Sequence, residues 1–184
     1  MNNNTIAFIA LCNDYCNVLS SASSQGTKEF IDKMLHLLPR IYICAYDLKP
    51  EKDTLSGEDE DAWIDQVLTE EEYSAISSDI SVLMGENDVY LEVFEEDMKY
   101  SDTPVAASVS ENLADIYQFV YDFLNTVRFA TDDVTDIAVR SIINSFKESW
   151  SRNLCNVLRA LNHIWANDLI GEAEDDFKNN ESLD

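Results

Sequence analysis

The chain has 184 residues, nearly half of them hydrophobic, and its 36 acidic side chains outnumber its 12 lysines and arginines to give a net charge of −24. This length and composition fit one folded domain and exclude a disordered chain. A charge of this size repels nucleic acid backbones and anionic membrane surfaces, which excludes both as partners. It is compatible with a basic protein partner, with bound divalent cations or with solubility alone.

The N-terminal stretch, MNNNTIAFIALCNDYC, favours a cytoplasmic protein. It has no positively charged segment and only a short apolar run, so it does not fit a signal peptide. No run of 18 apolar residues that would span a membrane occurs in the sequence. In the cytoplasm the four cysteines are expected to be reduced thiols: Cys12, Cys16, Cys44 and Cys155.

Apolar residues recur at helical spacing in the first quarter of the chain. They predict a helix over residues 5–24 and a second helix that starts with Thr27 as its N-cap. Pro39 lacks an amide hydrogen and clashes with the preceding turn, so it either kinks the second helix or begins a new segment. Residues 49–68 are predicted to form a long acidic loop, part of which docks through Trp63 and its apolar neighbours.

The next predicted helix has signals at both ends. Thr69 is followed three residues later by Glu72, which is the spacing of a capping box, and Gly85 suits a helix C-terminus. A short helix is then expected near residues 87–97. The apolar run DVYLEVF within it is ambiguous, because periodicity alone does not assign so short a run.

Two long helices complete the prediction. One covers residues 109–129 with Ser110 as its candidate cap, and the other covers residues 134–165. The sequence therefore predicts an all-α helical bundle of five to seven helices, folded as a single domain over residues 1–170. The acidic tail, residues 171–184, lacks a repeating apolar face and is expected to be frayed or disordered.

The stretch GENDVYLEVFEEDMKYSD places acids beside an apolar strip. In a helix, its acids at three- and four-residue spacing would share one face, at a cost of about 0.2–0.5 kcal/mol per like-charged pair. Burial of the neighbouring apolar side chains exceeds so small a cost. With two acids of the following helix, the candidate cluster for a metal or a basic partner comprises Asp88, Glu92, Glu95, Glu96, Glu111 and Asp115.

One hypothesis for this cluster is a carboxylate cage for Mg²⁺ or Mn²⁺, since hard cations prefer oxygen ligands. The pattern E-x-x-E-E followed by E-x-x-x-D is similar to the acidic sites of all-α nucleotide pyrophosphatases. It departs from them because the acids of the second motif lie four residues apart instead of three. A metal-dependent phosphohydrolase is therefore the alternative function, and the leading expectation is a protein without a cofactor whose acids are solvated or paired internally.

Internal pairing has candidate partners on the last helix. Arg152 and Arg159 lie seven residues apart and share a face, and apolar neighbours flank Arg159. A partly buried arginine favours a carboxylate, which its planar guanidinium can bind with two hydrogen bonds. We expect Arg159 or Arg152 to pair with one of three acids, the alternative being that they extend into solvent. The three acids are Glu92, Glu111 and Asp115.

Other catalytic or metal-binding patterns are weaker. Cys12 and Cys16 lie four residues apart, and with His36 or His163 they could bind zinc, although cysteines at this spacing are more often small core residues. No serine or cysteine triad has a local signature, and no glycine-rich phosphate loop occurs.

Three passages carry a family resemblance: LLPRIY, GENDVYLEVFEEDMKYSDTPVAASVSENLADIYQFVYDFL and FKESWSRNLCNVLRAL. They resemble segments of the bacterial domain-of-unknown-function family 5063. The resemblance implies an all-helical, cytoplasmic protein and supplies no catalytic residues.

The leading functional prediction is a non-enzymatic domain that binds another protein. Its acidic surface would steer a basic partner, and Trp63 and Tyr100 are candidate anchors because aromatic side chains often dominate interfaces. The pattern leaves the partner and the oligomeric state open.

Overall fold

The structure, a computed structural model, describes residues 1–51, 63–92 and 105–181, with side chains as far as residue 167. It confirms an all-α fold with one small antiparallel sheet. The helices are α1 (Asn3–Ser20), α2 (Thr27–Tyr46), α3 (Glu70–Met84), α4 (Val109–Val127), α5 (Asp132–Ser145) and α6 (Ser151–Glu181). The strands are β1 (Val89–Leu91) and β2 (Ala106–Ser108).

The helix ends show which sequence signals were decisive. The Thr69 side chain and the Glu72 backbone and carboxylate form the predicted capping box of α3, and Gly85 ends that helix with φ +55°. Two predicted caps are wrong by one or two residues. Gly26 precedes α2, while the Thr27 hydroxyl donates to the Leu83 carbonyl.

Helix α4 is capped by Ser108 instead of Ser110. The Ser108 hydroxyl accepts the N–H of Glu111 at 3.3 Å. Ser110 lies inside the first turn, where its N–H and hydroxyl both donate to the Asp88 carboxylate. The sequence contains two serines at suitable spacing, and only the tertiary contact with Asp88 distinguishes them.

The core lies where α1, α2, α4 and α6 pack together. Phe8 of α1 packs on Phe123 of α4 with ring centroids 5.5 Å apart, and the Tyr15 hydroxyl donates to the Leu113 carbonyl at 2.8 Å. The largest fully buried side chains are Trp150, Tyr15, Phe8, Phe30, Phe123, Leu19, Met34, Leu38, Ile41, Ile80, Leu113 and Ile116. Burial of aromatic and branched side chains at about 1.5–3 kcal/mol each is the main stabilising term.

The predicted last helix, residues 134–165, is a continuous rod that contains a π-helical turn. This turn, Phe146–Trp150, joins α5 to α6. It turns Trp150 into the core, where its ring meets Phe146 edge-on and its Nε1–H donates to the Ser145 hydroxyl at 3.1 Å. The backbone of α6 continues to Glu181, and the expected fraying of the tail stays a prediction.

The expected helix near residues 87–97 is wrong where the structure describes it. A 3₁₀ turn, Gly85–Asp88, leads directly into β1, which pairs with β2 in the register Tyr90↔Ala107. The side chains of β1 alternate: Val89 and Leu91 are exposed, and Tyr90 lies half-buried between them. Because a strand this short shows only one cycle of alternation, its partner strand decides the conformation.

Pro39 neither ends α2 nor begins a new element. The helix runs through it, and Pro39 is only partly buried. Since proline has no N–H, the Leu35 carbonyl four residues earlier loses its usual helical partner. Within the described ranges, no helix combines the length and the apolarity that crossing a membrane requires.

Candidate functional site

The structure places the six acids of the predicted cluster at different depths. Asp88 and Glu92 are buried, Asp115 is half-buried and Glu111 is exposed in the first turn of α4. Glu95 and Glu96 lie outside the described residues, as does Tyr100. The four described acids therefore differ in exposure, because a 3₁₀ turn and β1 replace the helix that was expected there.

Asp88 is used inside the protein. One carboxylate oxygen accepts the Ser110 N–H at 2.8 Å, and the other accepts the hydroxyls of Ser81 and Ser110 at 2.9 and 2.8 Å. The carboxylate therefore bridges α3 and α4 at the positive end of the α4 dipole. This is a structural role that satisfies a buried charge.

Asp115 holds three helices together. Its two oxygens accept the Tyr73 hydroxyl of α3 at 2.8 Å and the Asn153 amide of α6 at 3.2 Å. Burial, with a smaller contribution from Asp115, raises the pKa of Tyr73 well above its ordinary value. The raised pKa favours the protonated phenol, which is the form that donates to Asp115.

Glu92 belongs to a cluster around Tyr90. The Tyr90 hydroxyl hydrogen-bonds to Asn112 of α4 and interacts with the Glu92 carboxylate. Burial and the Glu92 charge raise the pKa of Tyr90, against the smaller opposing effect of Arg159. The cluster therefore ties β1 to α4 and α6.

The two predicted arginines behave differently. The guanidinium of Arg159 donates to the Leu91 carbonyl at 2.7 Å and lies over the Tyr90 ring, 6.0 Å from its centroid. Arg159 thus hydrogen-bonds to the backbone of Leu91, the residue that precedes Glu92. Arg152 donates to the Glu148 carbonyl at 3.4 Å. Pairing of either arginine with a carboxylate stays a prediction.

Metal binding finds no support in the described ranges. There, no group of three or more histidine, cysteine or acidic side chains lies close enough to hold a metal ion. Cys12 is buried in the core and Cys16 packs against it, where burial raises the pKa of Cys16 to about 12. All four cysteines are free thiols.

A cleft with polar and apolar walls surrounds Trp63, the predicted anchor that lies within the described residues. We call it the Trp63 groove. It is a cleft of about 710 Å³ between residues 63–66 and helices α4 and α5, and none of the described residues that line it is basic. Trp63 itself is 75% exposed. The lining comprises Trp63, Ile64, Gln66, Gln118, Phe119, Asp122, Ser141, Ile142, Asn144, Ser145 and Glu148.

Asp122 fixes one wall of this groove. It is only 6% exposed, and its Oδ1 accepts the N–H groups of Val67 and Leu68 at 2.8 and 2.9 Å. Leu68 is buried, so the segment that carries Trp63 is held at its end by two hydrogen bonds and an apolar contact. Burial raises the pKa of Asp122, although the two N–H donors oppose the shift.

The sequence reasoning missed Asp122. Its signal was present in QFVYDFLN, where one acid stands among apolar residues of an amphipathic helix. A buried carboxylate is stable only when hydrogen-bond donors surround it. The donors to Asp122 are backbone N–H groups that lie 54 and 55 residues earlier in the chain. Periodicity alone does not reveal partners so distant in the chain.

Comparison with known proteins decides the family. The family described as "Domain of unknown function (DUF5063)" matches residues 1–167. The chain belongs to this family. The resemblance carried by LLPRIY, DVYLEVF and FKESWSRNLCNVLRAL is thereby confirmed.

A solved structure shares the fold of this DUF5063 protein. It is the crystal structure of protein BF1032 from Bacteroides fragilis, which is 26% identical, with 89% of this chain and 92% of that chain covered and a TM-score of 0.73. Among curated proteins, none matches the chain significantly. These similarities support the fold and the family and name no activity.

Proposed function

We propose that this protein is a helical binding module that docks a basic segment of another protein in the Trp63 groove. The observation that carries the proposal is the exposed indole of Trp63 beside a cleft whose lining, in the part of the chain that the structure describes, includes two carboxylates and no basic residue. Tryptophan is the residue most enriched, with tyrosine and arginine, at positions that dominate binding energy.

The groove offers complementary chemistry for such a segment. Ile64, Phe119 and Ile142 supply apolar contact area, while Asp122 and Glu148 can accept hydrogen bonds from lysine or arginine. A cation placed over the Trp63 ring would add about 0.5–2 kcal/mol. The groove is thus suited to a side chain with an apolar stem and a positive end.

The local charge supports the same partner. Asp65, Glu70 and Glu71 are exposed and lie within eight residues of Trp63 in the sequence, and residues 58–61 are four successive acids that precede it. With a net charge of −24, the protein accelerates encounters with cationic partners and slows those with anionic ones.

The anchoring of the Trp63 segment lowers the entropic cost of binding. Its backbone is held at Val67 and Leu68 by Asp122, so less freedom is lost when a partner immobilises Trp63. Phe129 serves as the control in the test below. It is also an exposed aromatic residue, at 89% exposure, and it contacts Arg128.

The test compares Trp63→Ala with Phe129→Ala. Immobilised wild-type protein and both variants are incubated with a lysate of the source organism, retained proteins are identified by mass spectrometry, and the leading partner is purified for calorimetry. We expect a basic partner whose affinity falls at least about 30-fold in Trp63→Ala and less than about threefold in Phe129→Ala. Raising the salt concentration should weaken the wild-type complex.

Three results would contradict the proposal. The first is that no basic protein is retained by the wild type and lost by Trp63→Ala. The second is a partner whose affinity is the same for Trp63→Ala and the wild type. The third is an affinity that does not change with salt, because electrostatic steering and pairing require screening to weaken the complex.

A further inference from the structure

The charge of this protein is distributed unevenly between helices. Helix α2 together with residues 151–167 of α6 carries five lysines and arginines and two acids, a net charge of +3. The remaining residues therefore carry a net charge of −27, and the two parts together give the total of −24. Both histidines, His36 and His163, also lie on these two helices.

The two helices pack against each other and enclose a groove of about 630 Å³, which we call the α2–α6 groove. Its apolar residues are Leu35 and Pro39 of α2 with Leu158 and Trp165 of α6, and its polar residues are Asp32, His36, Cys155, Arg159 and Asn162. This volume lies within the range of about 300–1,000 Å³ that is typical of small-molecule sites. Trp165 is 41% exposed at its rim.

Two uncharged groups of the described residues hold Arg159 in place. Among the described residues, its contacts are the Leu91 carbonyl and the Tyr90 ring, both uncharged. The carbonyl engages Nη2, and a guanidinium has five N–H donors, so donors remain that the described residues do not occupy. A fixed arginine with available donors binds carboxylates strongly because its planar fork matches their geometry.

His36 adds a second polar group to the same groove. Its Nδ1 lies 2.7 Å from the Asp32 carbonyl, which can only accept a hydrogen bond, so Nδ1 carries the proton. That leaves Nε2 as the ring nitrogen that can meet a ligand. Asp32 is the one acid in the lining and favours a carboxylate placed at Arg159 instead of at the Asp32 end.

We propose that the α2–α6 groove binds a small amphiphilic carboxylate, with its apolar body against Leu35, Pro39 and Leu158 and its carboxylate on Arg159. The remainder of this acidic protein repels such an anion, whereas α2 and residues 151–167 of α6 together carry a net positive charge. The site is separate from the Trp63 groove, with which it shares no lining residue. Failure of the proposed docking of a basic partner in the Trp63 groove would therefore leave this proposal unaffected, and the reverse also holds.

Calorimetry with four probes tests this site. Octanoate and 4-phenylbutanoate are compared with octanamide and 4-phenylbutanamide, which have the same bodies and no charge. We expect both carboxylates to bind with a Kd below about 1 mM and each amide to bind at least about tenfold more weakly. Arg159→Gln should weaken carboxylate binding at least about tenfold, while Arg152→Gln, on the same helix and outside the groove, should change it less than about twofold.

A second variant guards against a structural effect of losing Arg159, which also holds Leu91. Asn162 is exposed and lines the groove, so Asn162→Trp should fill the groove and block both carboxylates while the thermal unfolding temperature stays close to that of the wild type. The proposal is overturned if neither carboxylate binds, if the amides bind equally well, or if Asn162→Trp and Arg159→Gln bind like the wild type. Binding of a glutamate-rich peptide in place of the small carboxylates would also overturn it and assign the face to an acidic protein segment.

Discussion

At the scale of single residues, this acidic chain uses several of its carboxylates as internal connectors. Asp88 receives donors from α3 and α4, Asp115 receives donors from α3 and α6, and Asp122 receives two backbone N–H groups. Each of these acids therefore joins segments that are distant in sequence. No described side-chain polar atom that is fully buried lacks a partner, which is what a buried acid requires.

Asp122 offers the sharpest test of this role. In Asp122→Ala both N–H groups lose their acceptor, so we expect the free energy of unfolding to fall by about 2–3 kcal/mol. In Asp122→Asn the Oδ1 acceptor is retained, and the loss should stay below about 1 kcal/mol. Urea denaturation measures both, with the exposed Asp65→Ala as a control expected within about 0.5 kcal/mol of the wild type.

The pH dependence of the same variants gives an independent readout. Burial raises the pKa of Asp122 above its ordinary value of 3.8, so the folded state binds the proton more tightly than the unfolded state. Stability contributed by this group therefore falls as the pH rises through the range just above 3.8. Wild type minus Asp122→Asn should show this fall, and a flat difference across that range would contradict the assignment.

At the scale of elements, the ends of α3 are set by neighbouring residues, whereas a short strand is set by a partner strand that is distant in the sequence. The capping box at Thr69 and the glycine at residue 85 are local signals, and both were predictable from the sequence. The strand β1 depends on pairing with β2, which lies 17 residues further along, so three residues of alternation could not predict it. The choice of Ser108 over Ser110 as a cap depends likewise on the distant Asp88 carboxylate.

Gly85 tests the local part of this account. Its φ of +55° is strained for any residue with a Cβ, although an added Cβ would have no atom within 4 Å. We therefore expect Gly85→Ala to lower the free energy of unfolding by more than about 1 kcal/mol through backbone strain alone. Gly26 has φ −83° and equally open surroundings, so Gly26→Ala should be neutral or stabilising by up to about 1 kcal/mol in the same urea titration. Equal effects of the two substitutions would show that φ is not the cause.

At the scale of the whole molecule, the fold class was predictable and the placement of charge was not. Apolar periodicity identified the long helices because each of them buries one face. The total charge is −24, yet α2 packs against α6, and α2 together with residues 151–167 of α6 carries a net charge of +3. The sequence already showed few acids in these two segments, but only the packing shows that they adjoin.

The protein therefore presents two surfaces of opposite character, each marked by a tryptophan. Trp63 lies in the acidic groove, Trp165 lies in the α2–α6 groove, and Trp150 is fully buried. The three indole N–H signals in a proton–nitrogen correlation spectrum report on these environments separately. Trp150 serves as an internal reference, because a ligand that leaves the core intact does not move it.

Titration with a lysine-rich amphipathic peptide tests the central claim, that basic segments dock beside Trp63, most directly. The account predicts that the Trp63 indole signal shifts progressively to saturation while the Trp150 and Trp165 signals stay in place, and that Trp63→Ala abolishes saturable binding. A peptide that binds while the Trp63 signal stays unmoved, or that moves the Trp165 signal instead, would contradict it.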